Sequence, residues 1–142
     1  MSETILSDPW RGAPAGSGQT ILCIEDDPLL HAVTMRQLTM FHYRVLGATN
    51  PEEALEVWRA SRSVIQAVIS DRELGSVRDG VSLLREFGGQ EPKVVLILTS
   101  ESLTPELIAS LHGTTRIRCL AKPFSLRELL TLLHEGLKAP AH

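Results

Sequence analysis

Apolar residues fall along this chain in short unbroken runs, each followed by a longer stretch where they recur at helical spacing. The runs are Ile21-Leu22-Cys23-Ile24, Val45-Leu46, 64–69, 94–98 and 117–120. The first, third and fourth are apolar almost throughout, the pattern of strands covered by helices on both faces. The intervening sets predict five helices with one buried stripe each. They are Leu29, Leu30, Val33, Leu38 and Phe41; Ala54, Leu55 and Trp58; Val81, Leu84 and Phe87; Leu107, Ile108 and Leu111; and Leu126, Leu129, Leu130, Leu133 and Leu137. Helix starts are marked independently. Asp27-Pro28, Asn50-Pro51 and Thr104-Pro105 each set a capping side chain before a proline whose missing N–H is not needed there. Asn50 with Glu53, and Ser125 with Glu128, have capping-box spacing, and Gly113 suits a helix stop. Five β–α units with short, right-handed crossovers predict an α/β fold, a doubly wound parallel sheet with helices on both faces.

Residues 1–18 hold Pro9, Gly12, Pro14, Gly16 and Gly18 and little periodic apolar content, so they are expected to form a flexible leader, with Trp10 exposed on it. The domain is expected over 19–138, with a short tail at 139–142. The 142 residues suffice for one core without metal or disulfide staples. A net charge of −3 argues against a basic nucleic-acid binder, and no apolar run is long enough for a membrane span. Cys23 and Cys119 fall in apolar runs one and five and lack ligand spacing, so both are expected as unpaired thiols in a cytoplasmic protein.

A doubly wound sheet collects its chemistry at the carboxyl ends of its strands. Here those ends read Glu25-Asp26-Asp27, Ser70-Asp71, Thr99-Ser100 and Lys122-Pro123-Phe124. Gathered carboxylates repel one another and hold their protons unless a cation intervenes, and a hard divalent ion such as Mg²⁺ answers that need. The ion would draw a phosphate to the same place. Lys122 suits an ion pair with it, Thr99 a hydrogen bond, and Asp71 a nucleophilic role that yields an acyl phosphate. Asp27 reads instead as a helix cap, and Asp79 as a turn or cap residue. The histidines His31, His42, His112, His134 and His142 lack ligand spacing and are expected on exposed faces. Arg116 and Arg118 alternate on the expected fifth strand, which would point both to one face.

The ordered set Ile-Glu-Asp-Asp-Pro (24–28), Val-Ile-Ser-Asp (68–71), Asp-Gly (79–80), Ile-Leu-Thr-Ser (97–100) and Ala-Lys-Pro-Phe (121–124) resembles the receiver domain of bacterial two-component response regulators. The resemblance spans 20 to about 138. It implies a flavodoxin-like sheet of order 2-1-3-4-5, with Asp71 accepting a phosphoryl group from a histidine kinase or a histidine phosphotransfer protein. It also implies Mg²⁺ held by Glu25, Asp26, Asp71 and the backbone carbonyl of Glu73, with Thr99 and Lys122 on the phosphoryl group and a cis Lys122–Pro123 peptide. Gly75 stands where the family often has proline, and Cys119 where it often has a switching aromatic residue.

The expectation is a single-domain response regulator of the chemotaxis-regulator type, not an enzyme acting on other molecules. Phosphorylation would switch a surface for a downstream protein partner, with dimerisation on phosphorylation left open. The alternative is a constitutive receiver-fold interaction module. A phosphohydrolase is disfavoured because no second aspartate follows two residues after Asp71. A nucleotide binder is disfavoured because no glycine-rich loop follows the first strand.

Overall fold

The computed structural model describes residues 12–111 and 116–138. Ten elements alternate along the chain: β1 Thr20–Ile24, α1 Pro28–Met40, β2 Arg44–Ala48, α2 Pro51–Ser61, β3 Ile65–Asp71, α3 Gly80–Gln90, β4 Val95–Ser100, α4 Pro105–Leu111, β5 Ile117–Ala121 and α5 Leu126–Lys138. All strand pairs are parallel and the sheet order is 2-1-3-4-5, the flavodoxin-like arrangement. The central strands are buried on both faces, β4 at every residue and β3 at all but Gln66. Gly113, Trp10, His112 and the tail 139–142 lie outside the described residues.

Two apolar layers enclose the sheet. On one face, side chains of α2, α3 and α4, among them Trp58, Phe87 and Leu107, pack on Leu22, Val68, Leu96 and Leu98. On the other, Leu38 of α1 and Leu126, Leu129, Leu130 and Leu133 of α5 pack on Ile21, Ala67, Ile69 and Ile97. The alternation of side chains along each strand produces this division.

The caps form where the sequence places them. Asp27 accepts from Leu29 N and Leu30 N at 3.0 and 3.2 Å, and Thr104 Oγ1 accepts from Leu107 N at 3.1 Å. Ser125 and Glu128 make the full reciprocal box at 3.1 and 2.8 Å. The Asn50 box is displaced by one residue. Asn50 accepts from Glu53 N, but Glu53 Oε1 reaches back past it to Thr49 N and Thr49 Oγ1 at 2.7 and 2.8 Å.

Four expectations need correction. In α4, Leu107 and Leu111 are buried but Ile108, one position round the helix, is 42% exposed. The α1 set does not share a buried face: Leu29 is 74% exposed and Val33 41%, while Thr34 and Leu38 are buried. Residues 29 and 33 stand a whole turn apart on the outer side, so the core face runs through 34 and 38. His31 is only partly exposed, and its Nε2 is buried beside Gly47 with no hydrogen-bond partner. Arg116 and Arg118 part to opposite faces. Arg116 precedes β5 and donates to Gly88 O in α3 and to Glu91 O and Val94 O in the turn between α3 and β4, whereas Arg118 lies against Gly136 of α5.

Residues 13–18, within the stretch assigned to the leader, touch the domain. Gly16 N donates to Phe41 O and Gly18 N to His42 O, both at 2.7 Å, and Ala13 packs against the α1/α5 core.

Candidate functional site

Three parallel strands end together and aim their last polar residues at one point. Glu25 follows β1, Asp71 closes β3, and Thr99 lies in β4 directly across from Asp71 in the register. Because β3 is central and covered on both faces, Asp71 is only 8% exposed, Glu25 5% and Thr99 2%. Asp26 sits at the exposed rim. Carboxylate oxygens of Glu25, Asp26 and Asp71 lie within 4.8 Å of one another. They form an all-oxygen set of the kind a hard divalent cation takes.

Lys122 enters from the end of β5. Its Nζ lies 2.9 Å from Glu25 Oε1 and 3.3 Å from Asp71 Oδ2, and the Lys122–Pro123 peptide is cis. Lys122 N donates to Ser100 O at 2.8 Å, which ties the turn after β5 to β4. The second Glu25 oxygen, Oε2, accepts from Asp27 N at 3.2 Å, so both oxygens of that buried carboxylate are satisfied.

Burial pushes the Asp71 carboxyl up from 3.8 to about 6; the charges of Glu25 and Asp26 add to the rise and Lys122 opposes it. Burial draws the Lys122 ammonium down, but its bond to Glu25 and the negative charges of Asp71 and Glu25 outweigh this and raise its pKa. Cys23, buried in β1 beside the site, has its thiol pushed up to about 12, first by burial and then by Glu25, which makes it inert as a nucleophile.

An acid whose folded pKa exceeds its unfolded one holds its proton more tightly in the folded chain. Ionising it therefore costs stability as pH rises from 3.8 through about 6. With divalent ions chelated, Asp71→Asn should stabilise the protein at pH 7 by about 1 kcal/mol, after discounting for solvent at the mouth of the site. The thermal midpoint should then rise by roughly 4 °C. At pH 4 the gain should vanish. Thermal unfolding followed by circular dichroism at the two pH values checks this, and an equal gain at both would rule out ionisation as the cause.

The structure thus brings together Glu25, Asp26, Asp71, Thr99 and Lys122. Glu73 follows in the loop 72–79 with its side chain exposed. Asp27 and Asp79 are caps, the latter accepting from Ser82 N at 3.0 Å. Cys23 and Cys119 occupy strands separated by β3 and β4 and are unpaired. Two residues that the sequence motifs include, but to which the sequence reading gave no role, also lie at the site. Ser70 is a fully buried hydroxyl under Asp71, and Gly80 packs on the Asp71 main chain. The Asp-Gly pair at 79–80 was the signal for the second.

A parallel sheet with these three carboxylates and a lysine at its carboxyl edge defines a class. The model of the response regulator receiver domain matches residues 21–134, and the chain belongs to that family. Among similar proteins, the sensor kinase CckA of Brucella abortus (strain 2308) is 30% identical over 119 residues, 84% of this chain and 12% of CckA. The regulatory protein VirG of Agrobacterium tumefaciens (strain 15955) is 24% identical over 120 residues, 83% of this chain and 43% of VirG. The chain therefore spans less than half the length of either relative. A solved signal receiver domain of an HD domain-containing protein from Pseudomonas fluorescens Pf-5 superposes with a TM-score of 0.76 at 29% identity, covering 85% of this chain and 95% of that one. Among the described residues, no helix is long and apolar enough to cross a membrane.

Proposed function

We propose that this chain is a phosphorylation-controlled switch in which Asp71 accepts a phosphoryl group from a phosphohistidine on a kinase or phosphotransfer protein. The observation that carries this reading is the position of the Asp71 carboxylate. It closes the central strand, clusters with Glu25 and Asp26 and lies 3.3 Å from the Lys122 ammonium. A pKa of about 6 leaves it ionised at neutral pH and able to act as a nucleophile.

In the transfer, an Asp71 oxygen forms a bond to phosphorus as the P–N bond of the phosphohistidine breaks. The imidazole departs with the electron pair. Lys122 turns part of its charge from Glu25 to the arriving phosphoryl oxygens, and the Thr99 hydroxyl donates a hydrogen bond to another. The carboxylates of Glu25, Asp26 and Asp71, with the backbone carbonyl of Glu73, would hold Mg²⁺. When bound, that ion neutralises phosphoryl and carboxylate charge that the buried lysine alone leaves unbalanced.

Modification of Asp71 draws Thr99 inward and biases the surface formed by α4, β5 and α5. A downstream protein partner reads that surface, in a cytoplasmic receiver that acts on no other substrate, with pairing of two phosphorylated copies as one form of output.

Intact mass after incubation with acetyl phosphate and Mg²⁺ tests the acceptor role. One phosphoryl adduct is expected on the native chain, and none with Asp71→Asn or with chelator. No adduct and no Mg²⁺ binding would instead indicate a constitutive interaction module.

A further inference from the structure

The loop 72–79 leaves the end of β3 and returns at the first residue of α3, and its two ends meet in a very close contact. Gly80 N donates to Arg72 O at 2.8 Å. A Cβ on Gly80 would lie 2.1 Å from the Asp71 carbonyl oxygen, 2.9 Å from its carbonyl carbon and 2.8 Å from Ser70 Oγ. Two of these three neighbours are main-chain atoms, which cannot swing aside as a side chain does. Ser70, with no exposed surface, donates its hydroxyl to the same Asp71 carbonyl oxygen at 2.9 Å. On the opposite side, Arg72 N donates to Thr99 O at 2.8 Å.

We propose that Gly80 and Ser70 form a latch on the main chain of Asp71, which makes Gly80 a positioning residue for the phosphoacceptor. The inference rests on the acceptor reading above. Helix propensity gives glycine no advantage at this position, since almost any other residue starts a helix as well or better, and Asp79 already supplies the cap. What glycine supplies is the missing Cβ.

The far end of the loop is tied to α3, where Arg78 pairs with Glu86 at 2.8 Å and donates to Ser82 Oγ at 3.1 Å, but its middle has few anchors. Leu74 is buried, but Val77 is fully exposed and Gly75 takes a left-handed φ of +62° beside Asp26, its Cβ position 3.7 Å from Asp26 Oδ2. A methyl group at residue 80 has to push α3 and Asp71 apart by roughly 1 Å, the scale of misplacement that costs up to about a hundredfold in rate. That displacement opens the neck of the loop. It moves the Asp71 carboxylate relative to Lys122 and carries the Glu73 carbonyl away from the cluster.

The test compares Gly80→Ala with Gly89→Ala, a residue of the same helix whose added methyl meets nothing within 4 Å. For each, the Mg²⁺ dissociation constant, the acetyl phosphate rate at saturating Mg²⁺ and the thermal midpoint are measured. Gly80→Ala should lower the saturated rate by about tenfold or more and weaken Mg²⁺ binding while still unfolding cooperatively. Gly89→Ala should leave rate and affinity unchanged. A folded Gly80→Ala protein with native rate and native Mg²⁺ affinity overturns the latch.

If Gly80→Ala does not fold, Ser70→Ala decides, because it removes the hydroxyl without adding bulk. A saturated rate lowered by about threefold or more supports the latch, and a native rate overturns it. A native chain that binds Mg²⁺ but takes no adduct sinks the acceptor reading alone. The latch is then judged by whether Gly80→Ala weakens Mg²⁺ binding relative to Gly89→Ala. A native chain that does neither overturns both.

Discussion

Replacing Lys122 with alanine, with divalent ions chelated at pH 7, should lower the unfolding free energy by about 3 kcal/mol. Lys122 and Glu25 are both largely buried, with side-chain exposures of 13% and 7%, and their 2.9 Å contact is the main compensation for placing the glutamate there. Removing the ammonium leaves two buried carboxylates facing each other, which is far worse than losing an exposed ion pair. The pH dependence separates this cause from simple loss of packing. Lys122 has a raised pKa, so its contribution is complete below the ordinary lysine value and is lost only as pH rises beyond it. At neutral pH the variant therefore shows the whole deficit. As pH falls through about 6, Asp71 takes up a proton, one of the two facing charges is lost and the deficit should shrink. Urea unfolding of native and variant chains at pH 7 and pH 4.5 reads the difference, and a deficit independent of pH would assign the loss to the aliphatic stem. Added Mg²⁺ should recover much of the loss, since a divalent cation among the same carboxylates replaces the missing charge.

Trp58→Ala should cost about 3–4 kcal/mol, far from any of this chemistry. The indole is 1% exposed and stacks on Phe87 with ring centroids 4.3 Å apart and planes inclined by 17°, and its Nε1 donates to Gln90 Oε1 at 2.7 Å. The contact joins α2 to α3 at the end of the domain away from the carboxylates, and the Arg62–Glu91 pair closes its outer side. Trp58→Phe keeps the stacked ring and loses only the hydrogen bond. It should cost about 1 kcal/mol, because the exposed Gln90 recovers its partner from water. Circular dichroism during urea unfolding checks both. Similar losses for the two variants would show that the hydrogen bond, not the stacked area, dominates.

The architecture was legible because local signals agreed with one another. Runs such as 94–98 were continuously apolar, as a strand covered on both faces must be, and Asp27, Asn50, Thr104 and Ser125 marked helix starts that the structure reproduces. The strand ends then placed Glu25, Asp26, Asp71, Thr99 and Lys122 at one edge, since parallel strands of similar length must finish together. Side-chain partnerships were not legible. Nothing in the spacing says that Lys122 prefers Glu25 to Asp71 at rest, because that choice depends on sub-ångström placement across 97 residues of sequence separation. Periodicity also misled on α1, where Leu29 and Val33 look like core residues while Thr34 takes the buried position. Arg116 failed for a different reason. Alternation applies within a strand, and this residue lies one position before β5 begins.

The hydrogen bonds from Gly16 and Gly18 to Phe41 and His42 bring the chain into the sheet beside the start of β2, whereas the carboxylates gather where the strands finish. Five residues of strand, about 16 Å, separate the two ends. A surface-immobilisation handle joined directly at residue 12 thus enters from behind the reactive edge, leaving Asp71 and the helices around it turned toward whatever flows past. Biosensor capture of kinases or output partners is best built from that end.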